Sequence, residues 1–115
     1  MPELPEVETV KRALSKTIAG KKILNVESNF IKIVASPDFK TFQKNIIGKK
    51  IESLSRRGKF LLFHLSGGKI MVSHLRMTGH WLVRPKIERN KFMHLIFQLS
   101  GGQTMVYSDI RKFGR

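Results

Sequence analysis

Leu4, Val7, Val10, Leu14 and Ile18 recur at intervals of three and four residues, so a helix over 4–18 would gather them into one apolar stripe. Acids crowd its first turns (Glu3, Glu6, Glu8), and Lys11, Arg12 and Lys16 follow. That order complements the helix dipole and sets Glu8 and Arg12 as an i,i+4 pair. Gly20 supplies a C-terminal stop. Strands are expected over 22–29 and 31–35. Pro37 then opens a second helical stretch, with Phe39, Phe42 and Ile46 on one side and Gly48 at its end. From residue 49 the period changes to two, with strands over 51–57, 60–65, 69–74, 80–84, 92–99 and 104–108 separated by glycine-containing turns. The pattern predicts an α+β chain, mainly β: a two-layer antiparallel β-sandwich flanked by an N-terminal helix and a second short helix. Residues 85–91 are polar and charged and are expected to form a flexible loop.

One segment echoes another. Phe63-His64-Leu65-Ser66-Gly67-Gly68-Lys69-Ile70-Met71-Val72 returns as Phe97-Gln98-Leu99-Ser100-Gly101-Gly102-Gln103-Thr104-Met105-Val106. Two similar hairpins on Ser-Gly-Gly turns account for it more simply than ancestral duplication. Each second strand runs out into a basic segment, Arg76-Met77 in one case and Arg111-Lys112-Phe113 in the other. Hairpins lying side by side would present both segments from one edge.

Composition narrows the partners. The 115 residues suit one domain with a modest core, and 41% hydrophobic content with eight Phe marks a folding sequence. Twenty-two Lys and Arg against eight acids give a formal charge of +14, which calls for a polyanion. Nucleic acid fits better than an anionic membrane. No apolar run approaches the ~18 residues of a span, and the one clear amphipathic helix begins with acids. The absence of Cys excludes disulfides, thiol nucleophiles and thiolate metal sites. The four His (64, 74, 80, 94) lack close metal-ligand spacing, so no metal is expected in this chain. The acidic N-terminus has no apolar segment of the secretory kind, and a cytoplasmic protein is expected.

The chain begins Met1-Pro2-Glu3-Leu4-Pro5-Glu6-Val7-Glu8-Thr9. Removal of Met1 would leave Pro2 as a secondary amine, able to attack an aldehyde carbon and form a cationic iminium, with Glu3 beside it as a proton donor. With Met1 attached, the Pro2 nitrogen is an amide and has no lone pair to offer. Read alone, the same residues describe helix initiation, because Pro suits the first turn and Glu the positive end of the dipole. The other candidates also have ordinary readings. Lys59 can be a solvated charge at a strand entry, Met77 and Phe113 core residues, and Glu6 helix decoration.

The N-terminal string resembles the start of the bacterial formamidopyrimidine-DNA glycosylases. The resemblance recurs in Ser55-Arg56-Arg57-Gly58-Lys59-Phe60, in Ser73-His74-Leu75-Arg76-Met77-Thr78-Gly79 and in Asp109-Ile110-Arg111-Lys112-Phe113-Gly114. It implies a bifunctional glycosylase and lyase that removes oxidised purines (8-oxoguanine and formamidopyrimidines) from damaged double-stranded DNA, acting as a monomer. Extruding a nucleotide from a duplex costs a few kcal/mol, and the vacated stack must be filled. The resemblance gives that task to Met77, Arg111 and Phe113. It makes Pro2 the nucleophile at C1′, Glu3 the acid that assists ring opening, Lys59 a proton donor in strand cleavage and Glu6 part of the active-site wall. Arg56 and Arg57 are read as backbone contacts or salt-bridge partners. Strand cleavage would proceed by β- and then δ-elimination.

Two departures accompany the resemblance. Family members often carry His-Asp-His before the strand over 92–99, and the first His meets a DNA phosphate. This chain has Phe92-Met93-His94, which leaves His94 as the possible phosphate contact. The family also continues into a helix-two-turn-helix domain and a four-Cys zinc finger. Residues 1–115 are therefore expected to be the N-terminal catalytic domain of a longer enzyme, impaired or inactive alone, with zinc belonging to the missing finger. Two other readings stand beside this one: an endonuclease VIII-type enzyme for oxidised pyrimidines, which shares Pro2-Glu3, and a non-catalytic basic domain that binds nucleic acid. Leu4 and the run from Pro5 to Thr9 favour the purine enzyme.

Overall fold

The computed structural model describes residues 4–29, 34, 38–74 and 79–109, with side chains from Val7 onward. The order is α1 (Leu4–Ile18), β1 (Ile23–Ser28), α2 (Phe39–Ile46), β2 (Ile51–Arg57), β3 (Phe60–Leu65), β4 (Lys69–His74), β5 (His80–Arg84), β6 (Met93–Leu99) and β7 (Gln103–Ser108). The strands form two antiparallel sheets, ordered β1-β6-β7-β5 and β2-β3-β4, and the expected sandwich is present. An isolated antiparallel bridge between Lys22 and Lys50 joins the sheets at one end. The expected strand over 31–35 falls largely outside the described residues.

Alternation decides what fills the interior. Leu61, Phe63 and Leu65 of β3 and Leu95, Phe97 and Leu99 of β6 share one core with Met71, Met105 and Tyr107. Trp81 of β5 ties the sheets together: its ring lies 5.0 Å from Phe63, 5.7 Å from Phe97 and 5.2 Å from Tyr107, and its indole N–H donates to Ser73 Oγ at 3.1 Å. Val7, Leu14 and Ile18 of α1, with Phe42 and Ile46 of α2, complete the core. Asp38 caps α2 by accepting from the Thr41 N–H at 2.8 Å, and that bond lowers its carboxyl pKa.

Residues 85–91, expected to be flexible, are pinned. Ile87 packs on Met93, Ile96 and Val106 over the outer face of the four-stranded sheet. Arg89 makes two hydrogen bonds to Glu27, at 2.9 and 3.0 Å, and lowers the Glu27 pKa. This cover explains why β6 is buried on both faces and does not alternate.

The echo between the hairpins extends further than two similar turns. Ile18-Ala19-Gly20-Lys21-Lys22-Ile23 at the end of α1 repeats as Ile46-Ile47-Gly48-Lys49-Lys50-Ile51 at the end of α2. Gly20 and Gly48 stop their helices at φ +86° and +87°, a conformation costly for any residue with a Cβ. The two copies bind each other reciprocally: Gly20 N–H donates to Ile51 O and Gly48 N–H to Ile23 O, both at 2.7 Å. Each copy also grips one Ser-Gly-Gly turn. The Lys22 N–H donates to Ser100 Oγ and the Lys50 N–H to Ser66 Oγ, both at 2.9 Å. The lysine end is thus built around a pseudo-twofold axis through the Lys22–Lys50 bridge.

Candidate active site

Strand direction sorts the loops between two ends. The lysine bridge and both Ser-Gly-Gly turns occupy one end. The last residues of β1, β2, β4 and β7 and the first of β3, β5 and β6 reach the other. Helix α1 stops at the lysine end, and its bonds through Glu8 reach Arg56 near the end of β2. The described neighbours of all four sequence blocks therefore gather at the end away from the lysines: the start of α1, the turn bearing Lys59, His74 and Gly79 around 75–78, and Asp109 before 110–115.

Lys59 is exposed in the two-residue turn Gly58-Lys59, where Arg57 pairs with Phe60. Gly58 adopts φ +60°, which a tight hairpin needs there. Arg56 anchors this turn to the helix. Its Nε donates to Glu8 Oε1 at 3.1 Å and its NH1 to Gly58 O at 3.1 Å. Glu8 also meets Lys11 and Arg12, each at 3.0 Å. Hydrogen bonds from Lys11, Arg56 and Arg12 lower its pKa to about 2. The i,i+4 pair expected for α1 is thus one arm of a larger cluster, and Arg56 is a salt-bridge partner.

His94 is not placed to contact a phosphate. It is only 2% exposed. Its Nε2 donates to Asp109 O at 2.9 Å, and its Nδ1 lies 3.3 Å from Asn29 Oδ1. The ring is enclosed because β6 is covered on both faces, and it holds the exit of β7 in place. Asp109 is itself buried, and its N–H donates to Phe92 O at 2.9 Å. At position 92 the structure places a partly exposed aromatic ring with Lys91 Nζ 5.3 Å from its centre.

Pro2, Glu3, Met77, Arg111 and Phe113 lie outside the described residues. Glu6 belongs to α1, and its side chain is likewise outside them. Among the described residues no group of three or more His, Cys, Asp or Glu is arranged to hold a metal. The chain also has no Cys to offer a four-Cys zinc site. Among the described residues no helix is long and apolar enough to cross a membrane. The sequence reading missed the Arg56 bracket and the buried His94–Asp109 contact. Glu8 was visible as one half of a helix pair, but nothing local indicated its partner 48 residues away.

The model of the formamidopyrimidine-DNA glycosylase N-terminal domain matches residues 1–115, and the chain belongs to that family. It is 50% identical over 115 residues to the formamidopyrimidine-DNA glycosylase of Streptococcus mutans and 47% identical to that of Streptococcus pneumoniae. Each alignment takes in 99% of this chain and 41% of the relative, so the chain spans about two-fifths of their length. Among solved structures, Lactococcus lactis Fpg (MutM) in complex with FAPY-dG-containing DNA superposes with a TM-score of 0.90 at 39% identity, over 96% of this chain and 42% of that one. A MutM complex with DNA containing carbocyclic 8-oxo-G gives 0.91 at 40%, over 97% and 42%.

Proposed function

We propose that this chain is the catalytic N-terminal domain of a base-excision DNA glycosylase and lyase that removes oxidised purines from duplex DNA. The observation that carries this reading is family membership over all 115 residues; Pro2-Glu3, Lys59, Met77, Arg111 and Phe113 stand in the sequence blocks on which the resemblance rests. The relatives' names and the FAPY-dG and 8-oxo-G complexes of the structural neighbours support the substrate class.

In this reading the freed Pro2 nitrogen attacks C1′ of the extruded nucleotide. The helix start favours its unprotonated form, because the positive end of the dipole opposes a cation. Glu3 protonates the sugar-ring oxygen, the bond from C1′ to the base breaks with the base taking up the proton that the Pro2 nitrogen loses, and opening of the C1′–O4′ bond leaves an iminium between C1′ and Pro2. Loss of a C2′ proton then expels the 3′ phosphate by β-elimination, with Lys59 as proton donor, and δ-elimination follows. Met77 and Phe113 fill the emptied stack while Arg111 pairs with the orphaned base. Glu6 lines the wall, and Arg56 holds the Lys59 turn against α1. The partner is damaged duplex DNA, not a membrane, and the protein is a cytoplasmic monomer. Zinc, where the whole enzyme holds it, belongs outside these residues and enters none of these steps.

Borohydride trapping by the full-length protein on DNA carrying 8-oxoguanine or an abasic site tests the reading. A covalent adduct is expected, lost in Pro2→Gly and lost when Met1 is retained. DNA binding without any adduct from the processed wild-type protein would show a binding domain instead. Faster excision of oxidised pyrimidines would show the endonuclease VIII type.

A further inference from the structure

We propose that the lysine end of the sandwich, opposite the catalytic end, is a second contact surface for a nucleic-acid phosphate backbone, with Lys22 and Lys50 as its paired cations. That the other end is catalytic rests on the function proposed above; the lysine arrangement itself does not. Lys22 and Lys50 face each other in an antiparallel bridge, so their side chains leave the same face from neighbouring backbone points. Like charges directly opposite are destabilising, and here both backbones are locked by hydrogen bonds to the serines of the turns. Both residues are exposed, and among the described residues neither forms an ion pair. An anion seated between them would relieve their repulsion.

The flanks add charge of the same sign. Lys21 and Lys49 reach across the two turns: a Cβ placed on Gly101 would lie 2.8 Å from Lys21 Nζ, and one on Gly67 3.2 Å from Lys49 Nζ. Lys16 and Lys44 stand in the last turns of α1 and α2. The helix C-termini account for cations in those last turns. They do not account for a bridged lysine pair beyond the stop. Glu52, two residues past Lys50, is the nearest acid in sequence, and the paired acids Glu8 and Glu27 lie elsewhere.

The molecule measures 32 × 28 × 26 Å, and strands of six or seven residues separate the two ends by roughly 20 Å. DNA resists bending over a persistence length of about 150 bp, so a short duplex held at the catalytic end does not turn back to the lysines. The occupant is a second segment.

The test uses full-length protein saturated with an unlabelled abasic duplex and titrated with a second, labelled, undamaged 15-bp duplex at several salt concentrations. Wild type is expected to capture the second duplex. The K22E/K50E double variant should lose at least tenfold in that affinity and lower the slope of log K against log salt by about two, one unit per lost phosphate contact. K40E/K86E, which makes the same change in net charge elsewhere, should retain capture. Excision from a short damaged duplex should be unchanged in both, with circular dichroism showing intact folds. Failure of wild type to capture the second duplex, retained capture by K22E/K50E, or equal losses in both variants would overturn the proposal. Protein that bridges duplexes but does not excise counts against the proposed function alone. Protein that excises but does not bridge counts against this inference alone.

Discussion

The two ends of the sandwich are built by opposite rules. At the lysine end every feature occurs twice: a glycine-stopped helix, a Lys-Lys pair, an isoleucine that starts a strand and a Ser-Gly-Gly turn. At the other end the only echo is the basic run that follows β4 and β7 in the sequence. Among the described residues the Gly-Lys turn is held by Arg56 and the exit of β7 by His94, two unlike anchors. The symmetric end closes the sheets with reciprocal backbone bonds, and the asymmetric end is free to differ loop by loop. On the function proposed above, the specific chemistry falls at this less repetitive end.

That contrast can be broken by mutation, and the core offers the largest effect. Phe63 and Phe97 are equivalent under the echo and are both fully buried against Trp81. Phe63→Ala and Phe97→Ala should each cost about 3–5 kcal/mol in urea unfolding, and near-equal losses would sharpen the symmetry. A large inequality would show that the two halves carry unlike loads. A smaller effect is expected at the Ser-Gly-Gly turns. Gly67 and Gly101 share φ +79°, so Gly67→Ala and Gly101→Ala should each cost about 1–2 kcal/mol and lower the melting temperature. The two losses should be near equal, because the neighbouring Lys21 and Lys49 ammoniums are the ends of flexible side chains that can move aside.

At the asymmetric end, His94→Ala leaves Asp109 O without its donor and should cost about 1–3 kcal/mol. Excision should fall further than the stability loss explains, since the exit of β7 leads to Arg111 and Phe113. Unchanged excision per folded molecule would show that this anchor does not matter to the site. The smallest effect on folding is expected from Arg56→Gln, which unties the Lys59 turn from α1. The melting temperature should barely move while kcat drops, and Arg56→Lys should restore part of it. The pH window of this bracket follows from Glu8. Its folded pKa, about 2, lies below the ordinary 4.5, so the contribution is complete above about 4.5 and is lost as pH falls toward 2. Acid unfolding of wild type and Glu8→Gln should therefore converge at the low end of that range.

The architecture was legible because both periods are strong. The stripe from Leu4 to Ile18 and the alternating burial of β3 leave little choice of element. The loop over 85–91 misled because its charges conceal one useful residue: Ile87 has an apolar patch to cover only once Ile96 and Val106 stand side by side in the sheet. His94 misled for the same reason, since only tertiary packing shows that β6 has no solvent face. The lysine end was missed although its signal is plain in the sequence. Gly-Lys-Lys-Ile occurs at 20–23 and again at 48–51, a repeat at 28 residues that lies outside both hairpins. Motif residues can be named from sequence. Their anchors cannot, because Glu8–Arg56 and His94–Asp109 are contacts between distant parts of the chain.

The central claim is that the reacting nitrogen belongs to Pro2, and peptide mapping of the borohydride-reduced adduct tests it most directly. Tryptic digestion of the full-length protein trapped on abasic DNA should place the sugar on the peptide that begins at Pro2 and ends at Lys11. An adduct found instead on Lys59, or on any other lysine while the Pro2 peptide is recovered unmodified, would contradict the account.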